Sequence, residues 1–186
     1  MIGRFIRRLF GNERGGVMIE TAIAMPIIVL LVTAGFEVAR LTLLHQKLDR
    51  AATAMADLVS QSEDGLTVGQ LNDMYNAMQH IMEPFTLGAK GVVIVTSMGT
   101  EGSNPTTIYW QNNGAGTLSA TSKIGAPGGT PTLPGAMVVR SGEGLIAAEI
   151  YYNYSPFVFS DLLTATQIYK ISYFRPRFDN INVLSP

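Results

Sequence analysis

The chain has 186 residues, no cysteine, and a formal net charge of −1 from 13 basic and 14 acidic side chains. Its length favours one domain, and its near-neutral charge argues against a nucleic-acid binder. The lack of cysteine excludes a disulfide scaffold, thiol catalysis and the common structural zinc sites. Only His45 and His80 offer imidazole chemistry, so no enzyme, cofactor or metal site is predicted.

The N-terminal part of the chain contains a long apolar segment. Residues 21–36 carry no charge, and residues 17–19 extend the apolar run on the other side of Glu20. About 20 helical residues span a hydrocarbon core roughly 30 Å thick, so residues 17–36 can cross a membrane if Glu20 is tolerated. On length alone, a helix buried in a soluble core remains an alternative.

A basic flank decides between these alternatives. The segment before the apolar run has a side-chain charge of +3. It contains four arginines and one acidic residue: Arg4, Arg7, Arg8, Arg14 and Glu13. Positive charge beside a first hydrophobic segment keeps that end in the cytoplasm. A cleaved secretory signal would have a shorter apolar region and end at a small-x-small site. The sequence therefore predicts a single-pass inner-membrane anchor with a cytoplasmic N-terminus and a periplasmic C-terminal domain.

Two residues inside the predicted anchor are unusual for a membrane helix. A carboxylate such as that of Glu20 costs about 2.5–3.5 kcal/mol in lipid on insertion scales. It either reaches water at the headgroup boundary or meets a positive partner within the bilayer. Pro26 is tolerated in a membrane helix, where it predicts a kink.

The spacing of Gly15, four residues and Glu20 before a hydrophobic helix resembles a type IV prepilin processing site. The surrounding sequence resembles TadE-like minor pseudopilins of tight-adherence (Tad, Flp-type) pilus systems, which share the Pro26 position, the Glu37 and Arg40 pair and an alanine-rich helix beyond. Thr21 stands where that family usually has an aromatic residue.

The resemblance implies that a membrane-embedded prepilin peptidase cuts after Gly15. Gly16 would become the N-terminus, and Glu20, then the fifth residue, would neutralise the amine of a neighbouring subunit. The implied function is a minor pseudopilin, a structural or initiating subunit in Tad-type pilus assembly and surface adhesion. Its implied partners are the peptidase, other pilins and pseudopilins, the inner-membrane assembly platform and membrane lipid, with no nucleic acid or small-molecule substrate. An uncleaved membrane-anchored periplasmic binding module and a type II secretion pseudopilin are the alternatives.

The fold class predicted for the whole chain is α+β. Residues 1–15 are the expected basic leader, residues 16–61 the membrane-spanning and extended helix, and residues 62–186 the periplasmic domain. Apolar residues at spacings of three and four carry the helix beyond the membrane: Leu41, Leu44, Leu48, Ala51, Ala52, Met55, Leu58 and Val59. A second helix is predicted from a capping box at Thr67 and Gln70 to a stop at Pro84.

Four segments rich in β-branched and aromatic residues predict an antiparallel sheet: 91–98, 106–111, 145–154 and 166–174. Alternation along residues 168–173 predicts that one face is covered. Five tyrosines are assigned to sheet packing: Tyr151, Tyr152, Tyr154, Tyr169 and Tyr173. Residues 112–144, rich in glycine, proline, serine and threonine, predict a long surface loop with a short strand at 136–140. This loop is the segment expected to contact another pilus component.

Two glycine-containing segments of the same region do not match known catalytic motifs. Residues 126–130 contain two glycines but lack the Gly-Lys-Ser/Thr of a phosphate-binding loop. Residues 140–144 do not form a Gly-x-Ser-x-Gly nucleophile elbow. Glu143 and Glu149 stand as isolated carboxylates.

Overall fold

The structure is a computed structural model that describes residues 13–62, 66–135, 137–158, 165–178 and 180–186, with residues 13–15 described by their backbone alone. The predicted leader therefore lies almost entirely outside the described residues. The described chain forms two helices and four strands: α1 (Glu13–Ser60), α2 (Val68–Met82), β1 (Gly91–Gly99), β2 (Thr107–Gly114), β3 (Gly144–Tyr154) and β4 (Thr166–Phe174). The predicted α+β class is confirmed.

Helix α1 has two halves with opposite environments. In the N-terminal half the large apolar side chains are exposed, whereas one stripe of the C-terminal half is buried: Leu44, Leu48, Ala51, Ala52, Met55, Ala56 and Val59. The spacing of three and four places these side chains on one face, which packs on the sheet and on α2. The helix ends at Ser60, one residue before the predicted end.

Helix α2 begins at the predicted capping box. The Thr67 hydroxyl accepts a hydrogen bond from the Gln70 N–H at 3.2 Å, and the Gln70 side chain accepts one from the Thr67 N–H at 2.9 Å. These bonds satisfy two backbone donors that a helix start would otherwise leave unpaired. Its buried face carries Leu71, Tyr75, Met78 and Met82, which contribute to the same core as α1.

The four strands form one antiparallel sheet in the order β2-β1-β3-β4. Helices α1 and α2 cover one face, where they pack on Val93, Val95, Ile146, Ala148 and Ile150. The connection between β2 and β3, residues 115–143, covers the opposite face. We call this connection the cover loop.

Coverage of the second face corrects the expectation of a sheet with one covered face, although most residues of the loop are exposed, as expected for a surface loop. Ile124 and Val139 of the cover loop pack on Met98, Ile108 and Leu145. Elsewhere on that face, Leu118 and Ala120 pack on Val92, Ile94 and Tyr151. The sparse apolar residues of the loop thus complete a second core layer, and every residue of the central strand β1 is buried.

The predicted strand boundaries differ from the structure by a few residues at most, while one predicted strand is wrong. Strand β2 extends to Gly114, so the cover loop begins at residue 115 and not at residue 112. Residues 137–140 form no strand, because they follow the irregular path of the loop across the sheet. The five tyrosines pack in or against the apolar clusters, as predicted.

Candidate functional site

The exposed half of α1 is the most unusual surface of the molecule. An 18-residue window of this helix has a mean hydropathy of 2.3, and none of it is buried inside the fold. Two hydroxyls in this half are satisfied within the helix, because Thr21 and Thr33 donate to the carbonyls of Val17 and Val29 at 2.8 and 2.9 Å. A helix that is apolar all round belongs in a bilayer or a core, and no described part of the chain covers this one.

The predicted processing and assembly residues lie at the start of this helix. Gly15 and Gly16 are in the first turn of α1, and a Cβ built on Gly16 would meet nothing within 4 Å. Glu20 is exposed four positions later, about 6 Å along the helix axis from Gly16. Pro26 lies within α1, which remains helical through it. Gly16, Glu20 and Pro26 are all exposed and do not pack against the folded part of the chain.

Directly beyond the apolar segment, Glu37 is buried by the globular part of the chain (α2, the sheet and the C-terminal half of α1). The residue is only 6% exposed. It accepts hydrogen bonds from the Tyr154 hydroxyl and from two backbone amides, that of Phe157 at 3.0 and 3.1 Å and that of Val158 at 3.0 Å. The negative charge of the Glu37 carboxylate is therefore stabilised by three donors, one from the last residue of β3 and two from the turn that follows the strand.

This arrangement raises the pKa of Tyr154. Burial, followed by the hydrogen bond to Glu37, raises the pKa of the Tyr154 phenol to about 12. The phenol thus stays protonated and keeps donating to the carboxylate across the physiological range. The pair forms a stable polar contact between the helix and the sheet.

Arg40 follows Glu37 by about one helical turn and also contacts the globular part. Its guanidinium carbon lies 5.7 Å from the ring centroid of Phe85 and 5.3 Å from that of Phe157. Both contacts are within the range of cation–π attraction. The Glu37 and Arg40 pair, noted in the sequence only through the family resemblance, joins α1 to the two turns that follow α2 and β3.

Two ion pairs join the C-terminal half of α1 to the last part of the chain. Lys170 on β4 lies 2.9 Å from Asp49, and Arg177 lies 2.6 Å from Asp57. The backbone N–H of Arg177 also donates to the carbonyl of Ser60 at 2.9 Å. Together with Glu37, these contacts fasten the helix to the sheet along its length.

A second buried carboxylate was missed by sequence reasoning. Glu149 on β3 is fully buried and accepts hydrogen bonds from four groups: the hydroxyls of Ser122, Tyr151 and Tyr169 and the N–H of Lys123. The Lys123 ammonium lies 4.0 Å from the centroid of the Tyr169 ring. Glu149 thus fixes the cover loop to the sheet, and its position among β-branched and aromatic residues was the only sequence signal of burial.

The other candidate residues are not gathered into a reactive site. Glu143 pairs with Arg175 at 3.3 Å. His45 is half-buried on α1, and His80 is exposed, 3.4 Å from Glu83. Within the described ranges, no group of three or more histidine, aspartate or glutamate side chains is arranged to hold a metal ion.

Among the described residues, one exposed apolar helix is long enough to cross a membrane, and it continues into a folded α+β unit, an arrangement typical of a membrane-anchored protein. Residues 15–57 match the model of the family described as TadE-like protein. No curated protein and no solved structure matches the chain. The resemblance to TadE-like proteins is confirmed over the matched segment, which contains Gly15, Glu20, Pro26, Glu37 and Arg40.

Proposed function

We propose that this protein is a minor pseudopilin, a structural or initiating subunit of a Tad-type pilus that contributes to surface adhesion. The observation that carries the proposal is the continuity of α1. One helix contains the Gly15–Glu20 motif near its start, presents an apolar half with no described partner, and then enters the core of a folded unit. Such a subunit is held by lipid before assembly and by neighbouring helices afterwards, so its role is structural and not catalytic.

Processing is the first step of the proposed function. Cleavage after Gly15 by a prepilin peptidase would remove the arginine-bearing leader and create a new amine on Gly16. Glu20 would then be the fifth residue, about one helical turn from that amine. Cleavage after Gly16 would make Glu20 the fourth residue and lose this spacing. The positively charged leader favours a cytoplasmic N-terminus at the inner membrane, with the folded unit in the periplasm.

Assembly is the second step, and it gives Glu20 a partner. A carboxylate in an apolar environment is costly unless it is paired, and no described residue of this chain pairs with Glu20. The amine of an adjacent pilin or pseudopilin on the assembly platform would neutralise it. Because the pair forms only at one axial offset of the two helices, it would select the register of packing.

The test compares single substitutions in cells that carry the complete pilus system. Gly15→Val is expected to abolish leader removal, seen as an intact mass that retains the leader. Glu20→Ala is expected to be processed normally but to be lost from sheared fibres. Ile19→Ala, at an adjacent exposed position, is the matched control and should be processed and assembled like the parent.

The opposite results have a clear meaning. If the parent chain keeps its leader in cells with an active peptidase, and if Glu20→Ala leaves fibres unchanged, the protein is a static membrane-anchored binding module. If the processed chain is found with a secretion system and is absent from Tad fibres, it is a type II secretion pseudopilin.

A further inference from the structure

A small apolar surface lies beside α1 at the level where the membrane-spanning segment ends. Phe157 and Val158, in the turn after β3, are 71% and 41% exposed. Their backbone N–H groups both donate to the carboxylate of Glu37. We call residues 155–158 the base turn. A large aromatic ring is thus held in a fixed place on the surface by bonds to a buried carboxylate.

The position of Glu37 along the helix sets the height of the base turn. Glu37 directly follows Phe36, the last residue of the apolar segment, and each helical residue adds about 1.5 Å. From Glu37 the helix continues to Ser60, about 35 Å farther from the apolar segment. The base turn therefore lies at the boundary of the hydrocarbon region, while the opposite end of the sheet lies far from it.

The residues at this boundary combine a positive charge with apolar side chains, which are the two kinds of group that bind phospholipid. The half-exposed Arg40 guanidinium stacks beside Phe157 at 5.3 Å, and a guanidinium binds phosphate oxygens well. Aromatic and aliphatic side chains beside basic residues bury their apolar parts at the boundary between headgroups and acyl chains. The exposed apolar side chain of Phe36 on α1 connects this patch to the surface that lipid already covers.

We propose that the base turn and Arg40 form a second membrane contact, in which Phe157 and Val158 enter the headgroup region and Arg40 binds lipid phosphate. The proposal rests on single-pass anchoring by α1 and not on leader removal or pilus assembly. The folded unit would then stand on the bilayer in one orientation before any partner arrives.

The lack of cysteine makes a direct test possible. A cysteine is introduced into the full chain as Phe157→Cys or, in a second variant, as Val158→Cys, and is labelled with a nitroxide. The labelled protein is placed in nanodiscs of phosphatidylethanolamine and phosphatidylglycerol, with one copy in each disc. Collision rates with oxygen, which concentrates in lipid, and with a water-soluble nickel chelate report the depth of the label. Phe178→Cys is the matched control, because Phe178 is 63% exposed and follows Arg177, which is bonded to Ser60 at the far end of α1.

The oxygen-to-nickel collision ratio at positions 157 and 158 is expected to be several-fold higher than at position 178. Equal ratios at the three positions would overturn the proposal. Shielding of position 157 that develops only in discs with two or more copies would also overturn it, because a second copy would then be the occupant. A chain that is never processed or assembled would still give the predicted ratio, so this result is independent of the pilus function.

Discussion

The Tyr154 hydroxyl donates a hydrogen bond to the Glu37 carboxylate, joining the last residue of β3 to α1 across 117 positions of sequence. Glu37 is the first residue after the apolar segment, so this bond connects the sheet to the helix where the apolar segment ends. The two amides of the base turn complete the contact. The apolar half of α1 and the folded unit are therefore joined by polar bonds as well as by packing.

Replacement of Glu37 by alanine is expected to destabilise the folded unit by about 3 kcal/mol, because a buried phenol and two amides lose their acceptor. Tyr154→Phe removes one bond and should cost about 1 kcal/mol. Denaturant unfolding of the full chain in detergent, followed by near-ultraviolet circular dichroism, measures both. Glu20→Ala is the control, since exposed Glu20 should leave the midpoint unchanged; equal midpoints for all three variants would refute a structural role for Glu37.

Replacement of Glu149 by alanine is expected to release the cover loop from the sheet. The Lys123 N–H and the Ser122 hydroxyl would lose their acceptor, and trypsin should then cut after Lys123 faster than in the parent. Cleavage after the exposed Arg140 serves as an internal reference within the same loop. The matched control is Glu83→Ala, which removes an exposed carboxylate outside the loop; accelerated cutting after Lys123 in that variant would contradict the proposed role of Glu149.

Alkaline pH is expected to weaken the fold. An ordinary tyrosine loses its proton near pH 10, whereas Tyr154 in the folded state has a pKa of about 12. Between these values the folded state holds a proton that the unfolded state has lost, so the free energy of unfolding falls as pH rises from about 10 to 12. Burial also raises the pKa of Tyr169 and Tyr151.

Denaturant midpoints of unfolding measured from pH 9 to pH 12 check this dependence. Tyr154→Phe should show a shallower decline, because one of the shifted groups is gone. A decline of the same steepness in the variant and the parent would show that Tyr154 does not contribute.

Two glycines are expected to respond oppositely to alanine. A Cβ on Gly116 would overlap the carbonyl oxygens of Gly91 and Gly88, which are backbone atoms, so Gly116→Ala should be strongly destabilising. Gly69, in the first turn of α2, has ordinary space around a Cβ, and Gly69→Ala should stabilise by up to about 1 kcal/mol. Thermal unfolding of the two variants separates these outcomes; a tolerated Gly116→Ala would contradict the close approach of the cover loop to β1.

The elements that sequence reasoning predicted well are specified by neighbouring residues. The stripe from Leu44 to Val59 repeats every three or four positions, and the capping box at Thr67 is complete within four residues. The strands are short runs of β-branched and aromatic side chains. Each of these signals is local, so it can be recognised without knowing what the element packs against.

The contacts that sequence reasoning missed are formed between distant segments. Glu37 could be noted beside Arg40, but its donors come from Tyr154 and the base turn. Glu149 seemed isolated because Ser122 and Lys123 lie 26 or 27 positions away. The covering role of the loop was not predicted because its few apolar residues are separated by glycine and proline, and their packing is evident only once the sheet is present.

The continuity of α1 has a mechanical consequence. Glu37 is bonded to the base turn and Asp57 is paired with Arg177. The described chain therefore has no flexible joint between the apolar half of α1 and the folded unit. Rotation of the helix about its axis must therefore turn the sheet through the same angle. If the proposed packing against a neighbouring subunit fixes the rotation of the apolar half, it also fixes which side of the folded unit faces outward.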